Sequence, residues 1–313
     1  MSFDFSAAVQ APFRMQPGLR RLPAGSPQLT ALAPGSRHQR EKLAVLSAFA
    51  DMALVGDPGF DPTPALHALA RHAAAEWPAD WAWDGRRAVA SRLGVAVADG
   101  KVEPLSRGGF GLGDEAPRCL RGLAPAWRLA GLLSLAFAED FAIVEADGAR
   151  IPWLAVALPS FWAPAEKVGR PFTEVHAPVA DNAVLLRAAD ALMALVTGPD
   201  RWERFVWTVT PHPRLHAHPA HVDPEGWPAD IAETLPAGAW WRTERQTFIP
   251  LAQRRQAVFT ILVDVQPLAR SIGRGAQSAT LHDALASMSP AVLAYRSLQG
   301  VRDPLLHWLA DRR

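Results

Sequence analysis

Three stretches of this 313-residue chain concentrate side chains capable of chemistry. Residues 212–221 hold His212, His216, His218 and His221. Convergent imidazoles bind zinc, nickel or copper. Pro211, Pro213 and Pro219 forbid the regular helix that would present histidines four apart. The preferred reading is therefore an exposed hairpin loop. His216 and His218 would share one face of an extended strand and remain the pair to check. A second stretch, LPSFWAPAEKVGRPFTEVHAPV over residues 158–179, places His176 at the end of a short helix, before Pro178. A lone histidine there is more often structural or a solvated cap than a ligand. The third, WWRTERQTF over residues 240–248, alternates as a strand does. Arg242, Glu244 and Gln246 then line one face, and Thr243, Arg245 and Thr247 the other. Hairpinned onto the apolar run Ala257–Val265, such a strand would give a pocket a polar lining; an edge strand facing water would read similarly.

Other patterns fall away. Gly111-Leu-Gly113-Asp-Glu-Ala116 fits a relaxed dinucleotide fingerprint but follows a Gly-rich loop, not a buried strand. No G-x-S-x-G or H-E-x-x-H motif occurs. Glu139 and Asp140 are adjacent, so they point apart and make a poor acid and base pair. The single cysteine, Cys119, excludes an internal disulfide, a cysteine-built zinc site and an iron–sulfur cluster. It fits a reducing cytoplasm, the expected location. The 32 basic and 31 acidic residues nearly cancel, so no overall field draws nucleic acid or an anionic membrane. Neither a secretion signal nor a transmembrane stretch is expected.

The elements that must position these residues follow from periodicity. Residues 1–36 carry five prolines and read as an extended arm. Helices are expected over 37–52, from Thr63 to Trp77, over 86–93 and over 123–137, with a Gly-rich loop over 99–115. Asp147-Gly148 signals a hairpin between strands 141–145 and 153–158. A short helix over 163–175 and a longer one over 185–196 precede strands at 205–210, 239–248 and 257–265. Helices broken by Pro290 and Pro304 close the chain. The order is α+β. Three regions are expected: an N-terminal arm and helical region over 1–122, a sheet domain over 123–266 and a C-terminal helical extension over 267–313.

The blocks LPSFWAPAEKVG…VHAPV and WWRTERQTFIPL…AVFTILV resemble the haem-dependent oxidative N-demethylase α-subunit family. Met15-Gln-Pro-Gly-Leu-Arg20, Glu76-Trp-Pro78 and Ala138-Glu-Asp140 extend the likeness, so it runs from about residue 12 to 270. Two departures stand out: Val206 sits where the family favours Asn, losing a donor and an acceptor, and Leu158 where it favours Phe.

The resemblance implies a PAS-like antiparallel sheet with a haem-binding helix, flanked by N- and C-terminal helices. It implies haem b, with His176 as the axial iron ligand and Lys167 and Arg170 as candidates for the propionates. It implies oxidation of dimethylamine or a similar small secondary amine with O2. Arg242, Glu244 and Gln246 would then face the substrate, with Arg204, Trp207 and Arg245 behind them. A cation would stabilise charge developing on oxygen, and a carboxylate would hold the ammonium. Electrons would come from separate reductase subunits carrying flavin and an iron–sulfur centre. A non-catalytic haem sensor of gas or redox state is the alternative, and the side to which Glu244 points separates the two.

Overall fold

The computed structural model describes residues 3–223 and 225–313. It is mixed α+β, with two antiparallel sheets and helices around them. Eleven strands run in chain order: β1 (Arg20–Arg21), β2 (Leu54–Gly56), β3 (Trp81–Trp83), β4 (Arg87–Ala90), β5 (Val95–Ala98), β6 (Lys101–Pro104), β7 (Asp140–Glu145), β8 (Arg150–Ala155), β9 (Trp202–Thr210), β10 (Trp240–Leu251) and β11 (Gln256–Pro267). The large sheet has the order β1-β9-β10-β11-β7-β8-β2 and the small one β3-β4-β5-β6. The arm over the first residues thus contributes a strand, and so does the end of the first helical region.

The three long strands form as their composition dictates. β11 is built of β-branched and aromatic residues and pairs with β10 along the length of both. The hairpin at Asp147-Gly148 closes β7 onto β8. The main core lies where the helices Arg37–Ala48, Thr63–Glu76 and Arg128–Ala136 meet the sheet through Leu46, Leu69, Leu133, Phe141 and Val258. The Thr63–Glu76 helix has Pro64 in its first turn and ends before Trp77-Pro78. A second core joins the C-terminal helices Ala276–Ala286, Pro290–Tyr295 and Arg302–Ala310 to Trp207 and Trp241.

Three expectations are corrected. The segment 86–93 is strand β4 followed by a single 3-10 turn, not a helix. Its alanines alternate, with Ala88 and Ala90 buried against the core, so the period is two. Part of the Gly-rich loop is strand β6, joined to β5 by Asp99-Gly100 with both residues at positive φ, 47° and 73°. That is the hairpin geometry that Asp-Gly favours. The helices expected over 163–175 and 185–196 are each two pieces. Gly169, at φ 73°, and Pro171 divide the first, leaving Pro164–Glu166 and Phe172–Val175. The second divides at Ala188 into Ala183–Arg187 and Ala189–Val196.

Candidate haem site

The segment 158–161 is positioned by a buried relay. Lys42 and Asp140, both fully buried, pair at 3.1 Å. Lys42 also donates to the carbonyl of Phe137. Asp140 in turn accepts from the amide of Leu158 at 2.6 Å. Asp140 therefore places the start of the Leu-Pro-Ser-Phe turn. A buried pair of this kind fixes position more than it adds stability.

Arg242 holds the other side of that turn. It is 2% exposed, and all three guanidinium nitrogens donate. Nε reaches Ser160 Oγ at 2.8 Å, Nη1 the Arg214 carbonyl at 3.0 Å, and Nη2 the carbonyls of Pro159 and Leu215 at 2.9 and 2.8 Å. Its charge also lies over the Phe161 ring. Burial pushes the guanidinium down to about 10, so it stays protonated at neutral pH. Arg242 clamps the 158–161 and 214–217 loops together.

Glu244 sits two residues along the same strand face and is held from two sides. Ser160 Oγ–H donates to its Oε1, and Gln246 Nε2 donates to its Oε2 at 2.6 Å. Ser160 is a site residue that sequence reasoning misses; its only signal is that it is the sole hydroxyl in Leu-Pro-Ser-Phe-Trp. Across the ladder, Gln246 faces Arg204 and Glu244 faces Val206. Arg204, Val206 and Gln246 are half-buried, so this face of β9 and β10 is partly open.

His176 caps the Phe172–Val175 helix on this side. Its helix packs through Phe172 into the cluster formed by Trp202, Phe248 and Phe259. The imidazole stacks on Phe172 with centroids 3.9 Å apart. Nδ1 hydrogen-bonds the Phe172 carbonyl at 2.8 Å, which fixes the tautomer with the proton on Nδ1. Nε2 then carries the lone pair and makes no hydrogen bond among the described residues. Burial pushes the imidazole down to about 4, opposed by the Phe172 carbonyl and helped by the charges of Arg204 and Lys167. It is a neutral ring oriented by a backbone carbonyl, the arrangement that metal-bound histidines share.

The other residues singled out from the sequence divide. Arg204 lies close enough to act on His176, and burial lowers its own pKa. Lys167 is half-buried, with Nζ donating to the Val175 carbonyl at 3.4 Å. Arg170 is exposed. Arg245 and Trp207 lie on the opposite face of the sheet. Arg245 pairs with Glu203 at 3.0 Å and donates to the Pro27 carbonyl. Trp207 stacks on Trp241 and donates to the Ala8 carbonyl.

The histidine segment is not an exposed hairpin. His218 is buried, and His216 bonds the Ala157 carbonyl through Nδ1 and His221 through Nε2, at 2.7 and 2.9 Å. The clamp by Arg242 and the bonds of Leu215 and His216 amides to Glu41 draw this loop inward. Among the described residues, no three His, Cys, Asp or Glu side chains are placed to hold a metal ion. In the Gly111–Ala116 loop, the Leu112 and Gly113 amides that a phosphate would need are taken by the Glu115 carboxylate, at 2.6 and 3.0 Å.

This geometry coincides with a match to known sequences. The family model for haem-dependent oxidative N-demethylase, alpha subunit-like, matches residues 127–306, more than half of the chain. The chain belongs to this N-demethylase α-subunit-like family. No curated protein matches it. The family is haem-dependent, and its description as an α subunit points to other subunits. The matched span contains His176, Arg204, Arg242 and Glu244, and it also takes in the C-terminal helices up to residue 306. No helix is long and apolar enough to cross a membrane among the described residues.

The donor set fits a haem. A haem needs a neutral axial nitrogen and cations for two carboxylates. His176 Nε2 is free and oriented, while Arg204 is a half-buried cation whose Nε is closed off from solvent without a hydrogen-bond partner. An unpaired cation in such a place is costly until an anion joins it.

Proposed function

We propose that this chain is the haem-carrying subunit of a monooxygenase that N-demethylates a small secondary amine of the dimethylamine type. The observation that carries the reading is the convergence of His176, Arg204 and Glu244 on one face of β9 and β10. His176 would ligate the iron of haem b through Nε2. The sheet order supports a PAS-like domain: β7 to β11 stand as β9-β10-β11-β7-β8. Taken as five strands in sequence, that is the third, fourth, fifth, first and second. The helices carrying His176 and residues 183–196 fall between the second and third, where haem PAS domains place their ligand.

When bound and reduced, the haem would supply O2 activation for oxidation at an N-methyl carbon. The chain's own residues do the rest. Glu244 would hold the secondary ammonium, since a charged carboxylate is the strongest partner for it. Ser160 and Gln246 keep that carboxylate in one orientation, and Arg242 keeps Ser160 in place. Lys167 and Arg170 lie on the segment leading to His176 and would meet the propionates from that side. Glu244 pointing to the His176 side of the sheet favours turnover over sensing, because a gas sensor needs no ammonium-holding group. Electrons would come from a separate reductase carrying flavin and an iron–sulfur centre; this chain's single cysteine cannot hold such a cluster.

The test is to titrate dimethylamine into the ferric haem-loaded protein and follow the Soret band. A saturable shift is expected in wild type, weakened by about tenfold or more in affinity in Glu244→Gln, with haem content unchanged. If no secondary amine perturbs the wild-type spectrum, the substrate assignment is wrong.

A further inference from the structure

Arg242 is a buried cation whose acceptors are all neutral: the Ser160 hydroxyl and backbone carbonyls. A buried charge ordinarily has a counter-ion. Here a carboxylate stands on the far side of the loop that Arg242 grips. Glu41 Oε2 accepts from the amides of Leu215 and His216, at 3.0 Å each. The Arg214 carbonyl and the Leu215 amide belong to one peptide group, and the Leu215 carbonyl and the His216 amide to the next. Two successive peptide groups are therefore held at both ends, their N–H by Glu41 and their C=O by Arg242. A peptide dipole of about 3.5 D with its N–H toward an anion and its C=O toward a cation is stabilised by both. Hydrogen bonds in series also polarise one another.

Glu41 is itself fixed. Arg37, one helical turn earlier, pairs with its other oxygen at 3.1 Å. Arg37 also donates to the carbonyls of Val265, at 2.9 Å, and Pro213. The loop is thus met from this helix at residues 213, 215 and 216. The next residue, Lys42, pairs with Asp140, which holds Leu158. One turn of the Arg37–Ala48 helix therefore reaches both of the loops that Arg242 clamps. This turn lies outside the matched span of residues 127–306, and no motif marked it.

We propose that Glu41 is the counter-ion of Arg242, acting through the two peptide groups between them, and is thereby a positioning residue for the Ser160–Glu244 pair. Arg242 donates to Ser160, and Ser160 donates to Glu244, so the chain of contacts from Glu41 ends on that carboxylate. Losing the charge at Glu41 weakens the grip of Arg242 on the 214–217 loop and loosens Ser160. The bearing on amine binding rests on the reading of Glu244 as the ammonium holder; the peptide-bridged pair stands without it.

The test is a double-mutant cycle in the full-length chain, Glu41→Gln with Arg242→Met, read by urea unfolding. Glutamine keeps an oxygen before the two amides while losing the charge. The loss of the Arg37 pair is common to both arms and cancels. Glu41→Gln should lower the folding equilibrium constant about tenfold while Arg242 is present, since two charge-assisted bonds become neutral ones. In the Arg242→Met background the factor should fall to about threefold or less. The same factor in both backgrounds would overturn the proposal, because Glu41 would then only brace the loop. A second readout needs no methionine variant. The Nε–H NMR resonance of Arg242, identified by its loss in Arg242→Lys, should shift in Glu41→Gln, and a resonance that stays in place would overturn the proposal even where Arg242→Met fails to fold. In the haem-loaded protein, Glu41→Gln should weaken dimethylamine binding about threefold to tenfold at unchanged haem content. Unchanged amine affinity would overturn the positioning role. A wild type blind to secondary amines would overturn the proposed function and leave the cycle and the resonance to decide the pair.

Discussion

Replacing Arg242 with methionine should cost the fold about 3–5 kcal/mol, most of it from the carbonyls left behind. Methionine keeps much of the length and apolar volume of arginine but none of its donors. The carbonyls of Pro159, Arg214 and Leu215 and the hydroxyl of Ser160 would each lose a partner. Arg242 is 2% exposed, so water does not replace it at once. An orphaned buried acceptor costs about 1–3 kcal/mol, and partial relaxation of the two loops brings the sum to the stated range. Against a typical domain stability of about 5–15 kcal/mol this is a large fraction. Arg242→Lys should fall between, because an ammonium keeps the charge but cannot fork to four acceptors. Equilibrium unfolding in urea reads the effect as a drop in midpoint at unchanged slope. A loss below about 1 kcal/mol in the methionine variant would refute the clamp, since buried carbonyls would then have been satisfied some other way.

Two further outcomes follow from the structure. Glu139 is fully buried, and burial raises its carboxyl from 4.5 to about 7, so the folded state binds its proton more tightly than the unfolded chain does. Its favourable contribution is complete below about pH 4.5 and is lost as pH rises through about 7. Glu139→Gln should therefore flatten the fall in melting temperature between pH 5 and 8, gaining up to about 3 kcal/mol at the upper end; parallel profiles would refute this. The isolated haem-loaded chain, mixed anaerobically with NADPH, should stay ferric until a flavin reductase is added, since the one phosphate-like loop is occupied by Glu115. Rapid reduction by NADPH alone would reveal a redox site in the chain.

Much of the site was legible because alternation and turn chemistry are local. The Arg242, Glu244, Gln246 face needs only the strand period, and the Asp147-Gly148 hairpin needs only its turn. What Arg242 does was not legible, because its partners come from residues 158–160 and 214–215, brought together by the fold alone. The same holds for Ser160, which carries no local signature. The small sheet hid behind alanine: Ala88, Ala90 and Ala96 are buried on strands, yet alanine reads as helix by propensity. The histidine loop read as exposed from its prolines, whereas Glu41 and Ala157 draw it into the interior.

The account turns on His176, and the most direct measurement is the absorption spectrum and haem content of purified wild type and His176→Ala in ferric, ferrous and CO-bound forms. Wild type should bind one haem per chain with the spectrum of histidine-ligated iron, and the variant should lose the Soret band or hold haem weakly, because the bond from Nε2 is gone. A variant with unchanged haem content and spectrum would contradict the assignment and turn attention to His216 or His218.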